Sequence, residues 1–310
     1  MDTTEILSLR GPKNKVDPFR PYHFLVEQER TKAGSVEDFA TIFLSNRECP
    51  FRCLMCDLWK NTTDTTVPAG AIAQQIRFAL SNLPAAQHIK LYNSGNFFDR
   101  RAIPSEDHPE IAAAVSGFET VIVENHPMFT DKRCVDFQQL LAGKLEIAIG
   151  LETIQPEILL SLNKQMSVDD FARAVSFLHE HEIATRAFIL LKPPGLDEQE
   201  GIDWALRSIE FAFSQGVSVC SVIPLRAGNG AIDSMMKDGA FQIPKFSSLE
   251  QVMTQGLKQE SGRVFVDLWD AQQFTECDYC SDARINRLNE MNLQQKILDP
   301  IYCEHCDSAS

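Results

Sequence analysis

Six short apolar stretches punctuate the first two-thirds of the chain, and segments of helical periodicity lie between them. They read as residues 39–45 (FATIFLS), 87–93 (QHIKLYN), 119–124 (ETVIVE), 145–151 (LEIAIGL), 184–191 (ATRAFILL) and 218–224 (SVCSVIP). Most are nearly continuous apolar runs, the pattern of strands covered by helices. Between them, 70–82 sets Ile72, Ile76 and Leu80 four apart on one helical face. Residues 168–181 follow Ser167, with Asp170 three positions on as in a capping box, and carry Phe171, Val175 and Leu178 at helical spacing. A third helix is expected over 197–215, with Trp204, Ile209 and Phe213 facing inward. Such alternation folds as right-handed βαβ units around a parallel sheet. Six units fall short of a closed eight-stranded barrel. A partial, open barrel and a doubly wound sheet both fit, and in either the chemistry belongs at the carboxyl ends of the strands.

After about residue 230 the alternation fades into a helix near 248–259, a short strand near 263–268 and a helix near 283–296. No repeat or Gly/Ser linker sets this tail apart, so it is expected to pack on the α/β body. The organisation is read as an N-terminal extension (1–37), a core (38–230) and a C-terminal extension (231–310). With 44% hydrophobic and 23% charged residues in 310, disordered and collagen-like chains are excluded. No apolar run approaches the roughly 20 residues of a membrane helix. The opening MDTTEILSLRGPKNK does not resemble a signal peptide, and a soluble, cytoplasmic protein is expected. The net charge is −14, the opposite of a bare nucleic-acid binder. Phosphate contacts would need a local patch or a basic partner.

Nine cysteines, an odd number, argue against a disulfide framework, and seven of them fall into two groups. Cys49, Cys53 and Cys56 are spaced C-x3-C-x2-C on the loop after the first expected strand. Three thiolates leave a tetrahedral zinc site one ligand short. They can hold three irons of a cubane and leave the fourth open. A zinc site completed from elsewhere, or buried structural cysteines, are the plainer alternatives. The second group pairs Cys277 and Cys280 with Cys303 and Cys306 across 22 residues. Its four sulfurs suit a structural zinc fastening the tail, or an auxiliary iron–sulfur cluster, and the spacing serves either. His305, between two of them, reads as solvent-facing. Cys134 and Cys220 stand alone, Cys220 as a small buried hydrophobe, and His179 and His181 read as surface residues.

The cysteine triplet, with apolar Met55 before its last member, resembles the signature of the radical S-adenosylmethionine (SAM) enzymes. The resemblance covers roughly 38–230. It implies a partial (β/α)6 barrel, here with a C-terminal cysteine-rich metal-binding extension. It also implies a [4Fe-4S] cluster on Cys49, Cys53 and Cys56 whose open iron chelates the amino and carboxylate groups of SAM. An electron, from a donor such as flavodoxin or ferredoxin, then cleaves SAM to a 5′-deoxyadenosyl radical that takes hydrogen from substrate. The enzyme implied is of oxidoreductase or lyase type. Where the family has a Gly-Gly-Glu-like turn for the SAM amino group, this chain has Asn93-Ser94-Gly95-Asn96, keeping one glycine and losing the acid. Glu124 ends the third strand. Glu152, ending the fourth, is the candidate for the SAM ribose. Arg186 on the fifth strand is a candidate for the SAM carboxylate, and Arg226 after the sixth faces the same end. An ion pair between Glu124 and Arg226 is the structural alternative for those two.

The segments NSGNFFD, VENHP, GLET, LNK-x-M and LLKPP resemble more narrowly the subgroup of the archaeosine synthase radical subunit and the Elp3-type enzymes. That subgroup implies a tRNA substrate, cleavage of a carbon–nitrogen bond in a lysine adduct, and a partner subunit. Strand-end motifs report mainly on SAM binding, however, and substrate does not follow from them. The charge and the lack of a visible RNA-binding module favour a small-molecule substrate. The alternatives are tRNA modification with a partner and a zinc-binding adaptor without catalysis.

Overall fold

The computed structural model describes residues 1–307. At its centre is one sheet of eight strands in sequential order. They are β1 (His23–Arg30), β2 (Val36–Phe43), β3 (His88–Tyr92), β4 (Thr120–Asn125), β5 (Lys144–Glu152), β6 (Ala184–Leu191), β7 (Val219–Pro224) and β8 (Arg263–Val266). From β2 to β8 every neighbouring pair is parallel. β1 returns antiparallel along β2, pairing His23 with Phe43 and Arg30 with Val36. The expected partial barrel is present, and β2 to β7 are its six expected strands. The sheet continues across both boundaries drawn from the sequence, through β1 on one side and β8 on the other. β1 is not among the expected strands because HFLVEQER has too few apolar residues to announce one.

Helices Ala71–Leu80, Val168–Glu180 and Glu198–Ser214 pack behind the strands as expected. Ser167 and Asp170 make both bonds of the capping box. The inward face of Glu198–Ser214 differs from the sequence reading: Ile202, Ala205, Ile209 and Ala212 are buried, with Trp204 and Phe213 half-buried on the flanks. Residues five apart, such as Trp204 and Ile209, stand about 140° apart around a helix and cannot share its inner stripe. Cys134 and Cys220 are fully buried in the main apolar core. Among the described residues no helix is long and apolar enough to cross a membrane.

The lumen is charged. Arg186 of β6 gives its Nε to Glu146 of β5 at 2.8 Å and its two terminal nitrogens to Glu29 of β1 at 3.0 and 2.5 Å. Lys90 of β3 donates to Glu29 at 2.7 Å and to Glu27 at 2.9 Å. A direct bond between β1 and β6 requires the sheet to curl upon itself. Arg263 of β8 narrows the remaining gap by donating to the Arg30 carbonyl of β1 at 2.7 Å. The outer edge of β8 is met by helix Ser281–Gln294 and its C-cap. Asn292 exchanges two hydrogen bonds with the backbone of Val266, and Gln295 two with that of Val264, as a ninth strand would.

Burial alone would push the Glu29 carboxyl up, but Arg186 and Lys90 outweigh it and hold it well below the usual range. Arg186→Met should therefore cost about 3–5 kcal/mol in urea unfolding at neutral pH, because it strips the buried Glu146 of its partner and leaves Glu29 with Lys90 alone. The stability Glu29 contributes is present above the unfolded carboxyl pKa of about 4.3 and lost as pH falls through the lower folded value. The gap between wild type and variant should thus narrow in acid. A gap independent of pH would contradict the charge pairing described.

Candidate functional site

Cys49, Cys53 and Cys56 sit on the loop that leaves the carboxyl end of β2, as expected. The loop has little regular structure, so its carbonyls need partners from elsewhere. Arg52 donates to the Cys49 carbonyl. Asn163 Nδ2 donates to the Arg52 carbonyl at 2.8 Å, and the buried Asn229 to the Leu54 carbonyl at 2.7 Å. The Leu54 amide reaches the Leu162 carbonyl at 2.9 Å. Met55 packs beside an apolar cluster that includes Leu54, Leu162 and Leu225. These contacts fix the backbone that carries the three cysteines. Burial pushes the Cys53 thiol up to about 12 and raises Cys49 and Cys56 as well. A metal bound there would displace the thiol protons.

The turn after β3 lies directly against this loop. Asn96 Nδ2 donates to Cys49 Sγ at 3.3 Å. A Cβ on Gly95 would stand 3.5 Å from Cys49 Cβ and 3.7 Å from Asn93 Nδ2, so glycine keeps the space between them open. Ser94, at φ 51°, shares a 3.0 Å hydrogen bond with Tyr22. The Asn93 amide N–H donates to Glu124 at 3.0 Å, whereas neither polar atom of its buried side chain has a partner. Asn46 Oδ1 and Asn125 Oδ1 are buried and unpartnered too. Such groups are costly unless a ligand or water meets them. The donor set and these orphaned groups suit a cluster and a polar ligand beside it.

Glu124 stands at the end of β4. Burial pushes its carboxyl up to about 7, against the pull of the Asn93 and Ser94 amides and of Lys164. Glu152 ends β5 at φ 64° and is ion-paired with Lys164. A Cβ on Gly150 would fall 2.1 Å from both charged groups, so a side chain there would displace the pair. Lys164 escaped the sequence reading although LNK-x-M was noted. It is buried, and the pull of Glu152, with Cys53 and Cys49 adding to it, overcomes burial and raises its pKa. Its carbonyl accepts from His126 at 3.0 Å, and the His126 ring stacks on Phe51 within the cysteine loop at 4.0 Å.

Two expectations are corrected. Arg186 does not reach the carboxyl ends. It is the third residue of β6, near the amino end, and its guanidinium is taken up by Glu29 and Glu146. Glu124 and Arg226 make no ion pair. Arg226 lies at the carboxyl end but pairs with Asp267 at 2.9 Å and donates to the Trp269 carbonyl, because the loop after β8 brings those acceptors to it first.

In the tail, Cys277 Sγ is 3.9 Å from Cys303 Sγ and Cys280 Sγ 3.6 Å from Cys306 Sγ, and all four sulfurs lie within 4.8 Å of one another. Four thiolates about 2.3 Å from one tetrahedral zinc ion stand roughly 3.8 Å apart. A cubane spreads its thiolates over four irons and needs a wider set. His305 stacks on Tyr279 at 3.7 Å and is exposed, as are His179 and His181.

Comparison with known proteins bears on the class first. A computed fold likeness links the chain to Elp3 of Methanocaldococcus infernus (TM-score 0.52, 15% identity, 71% of this chain and 59% of that one). A similar likeness links it to Streptococcus suis SuiB bound to S-adenosylmethionine (0.53, 12%, 76% and 50%). A radical S-adenosylmethionine methyltransferase of Kitasatospora setae, TsrM, matches at 0.50, 15%, 65% and 39%. The fold is thus the one found in radical SAM enzymes. In sequence, an uncharacterised protein of Methanocaldococcus jannaschii is 25% identical over 236 residues, 71% of this chain and 65% of that protein. The archaeosine synthase subunit beta of Thermococcus kodakarensis is 26% identical over 166 residues, 51% of each. Fold comparison thus carries the likeness to Elp3 and the radical SAM enzymes, and sequence comparison the link to archaeosine synthase subunit beta. The chain spans about two-thirds and about half of the length of those two relatives. No family model matches.

Glu124 gives a test of the dry setting described here. Its folded pKa of about 7 lies above the unfolded value of about 4.3. The folded chain therefore holds a proton that the unfolded chain releases, and stability falls as pH rises through that window. Glu124→Gln should shift the melting temperature more favourably at pH 8 than at pH 5. Equal shifts at the two pH values would contradict the buried, neutral carboxyl.

Proposed function

We propose that this protein is a radical SAM enzyme that holds a [4Fe-4S] cluster on Cys49, Cys53 and Cys56. The reading is carried by three cysteines on the loop at the carboxyl end of a partial barrel, with the unpartnered side chain of Asn93 and the Cys49 side chain both beside Gly95. With the cluster and SAM bound, the chemistry supplied is one-electron cleavage of SAM to a 5′-deoxyadenosyl radical. Around it, Asn96 donates to the Cys49 sulfur, Gly95 leaves room for close approach, and the Asn93–Gly95 turn receives the SAM amino group. Glu152 takes the ribose. Lys164, in place of Arg186, supplies the positive charge for the SAM carboxylate, since it is the cation standing beside Cys53 and Glu152. Glu124 sits where it can hold or pass a proton near neutral pH.

For the substrate, the archaeosine synthase beta subunits among the relatives support a tRNA nucleoside, modified together with a partner subunit. The charge of −14 supports a small molecule used by the chain alone. An electron donor of the flavodoxin or ferredoxin kind and a cytoplasmic setting complete the proposal, in keeping with nine unpaired cysteines. At the four-cysteine group the sulfur spacing supports one structural zinc ion over an auxiliary cluster.

Anaerobically reconstituted protein given SAM and dithionite should release 5′-deoxyadenosine, and the Cys49/Cys53/Cys56→Ala variant should not. Colourless protein with zinc, no iron and no release would replace the enzyme with the adaptor. Salt-sensitive retention of bulk tRNA, alone or with a partner, would favour the nucleic-acid substrate. Metal analysis of the triple variant should still find about one zinc per chain, and iron there instead would overturn the zinc assignment.

A further inference from the structure

A cavity of about 950 Å³ opens at the amino ends of the strands, opposite the cysteine loop, and the radical chemistry makes no use of it. At its wall three neighbouring strands each bring one residue: Glu37 from β2, His88 at the start of β3 and Glu119 just before β4. The register pairs Phe39 with His88 and His88 with Thr120, which sets the three on adjacent rungs. One ligand atom of each lies within 4.8 Å of the other two. The His88 ring is 5% exposed and stacked on Phe39 at 4.4 Å, so its direction is fixed. Its Nε2 meets Glu37 Oε2 at 2.6 Å, and its buried Nδ1 has no partner. The ring's one hydrogen bond is thus to a member of the group: Nε2 donates to Glu37, and a metal bound there would take the place of that proton.

Charge balance points the same way. Glu29 and Glu146, also on the cavity wall, are neutralised by Lys90 and Arg186. Among the described residues Glu37 and Glu119 have no Lys or Arg partner within ion-pair distance. Two such carboxylates with one neutral imidazole form a ligand set for a divalent first-row metal.

We propose that Glu37, His88 and Glu119 bind one divalent transition-metal ion, Zn2+ or Mn2+, and so clasp β2, β3 and the start of β4 at the amino mouth of the barrel. The test uses protein already loaded at both cysteine groups and titrates it with Mn2+, for which thiolates compete poorly. Loss of the free-ion paramagnetic resonance signal counts the ions bound. The expected result is one Mn2+ per chain and a melting temperature that rises with Mn2+ concentration. Binding should be at least about tenfold weaker in His88→Ala and in Glu119→Gln. Glu119 is exposed, so its variant keeps the test alive if His88→Ala does not fold. Binding weaker than about 1 mM in the wild type, or binding undiminished by Glu119→Gln, would overturn the assignment.

Discussion

Two cations inside the barrel determine how this sheet is completed. Lys90 and Arg186 point into a lumen where a charge without a partner costs several kcal/mol. Glu29 answers both, and it comes from β1, the antiparallel strand before the alternating units. The barrel from β2 to β8 is therefore electrostatically incomplete by itself. An ionic network lines its amino end, and the cysteine loop and the turn after β3 occupy the opposite end. The same network explains why Arg186 is unavailable for a cofactor carboxylate: its donors are already committed.

Local chemistry was a good guide wherever a residue's neighbours in space are also its neighbours in sequence. The strands β2 to β7, the Ser167 capping box and the spacing of the cysteine loop are all of this kind. Reading failed where the decisive partner is remote. Arg186 is bound by a carboxylate 157 positions away, and a strand's apolar pattern does not reveal which end of the barrel a charge will serve. Lys164 was passed over for a related reason. It reaches Glu152 because Glu152 and the flanking Asn163 and Gln165 take positive φ, a backbone choice with no clear signal in their side chains.

The two cysteine groups differ in how they are supported. The first is suspended on an irregular loop whose carbonyls accept from Arg52, Asn163 and Asn229, while its Leu54 amide donates to the Leu162 carbonyl. It borders the turn after β3, where the buried side chain of Asn93 has no hydrogen-bond partner. In the second, the sulfurs face one another across a gap suited to a single ion, and the nearby Tyr279 and His305 rings lie outside it. Similar numbers of thiols thus stand in two different settings, one on an irregular loop and one drawn into a compact set of four.

The side-chain amides of Asn292 and Gln295 occupy the outer edge of β8, and the helix that carries them begins at Cys280. The four-cysteine group therefore stands at the start of the element that covers the last strand. Displacing that helix would bare the N–H and C=O groups of Val264 and Val266 as a template for another chain's strand. What covers that edge is, in this sense, also what keeps separate molecules from joining edge to edge.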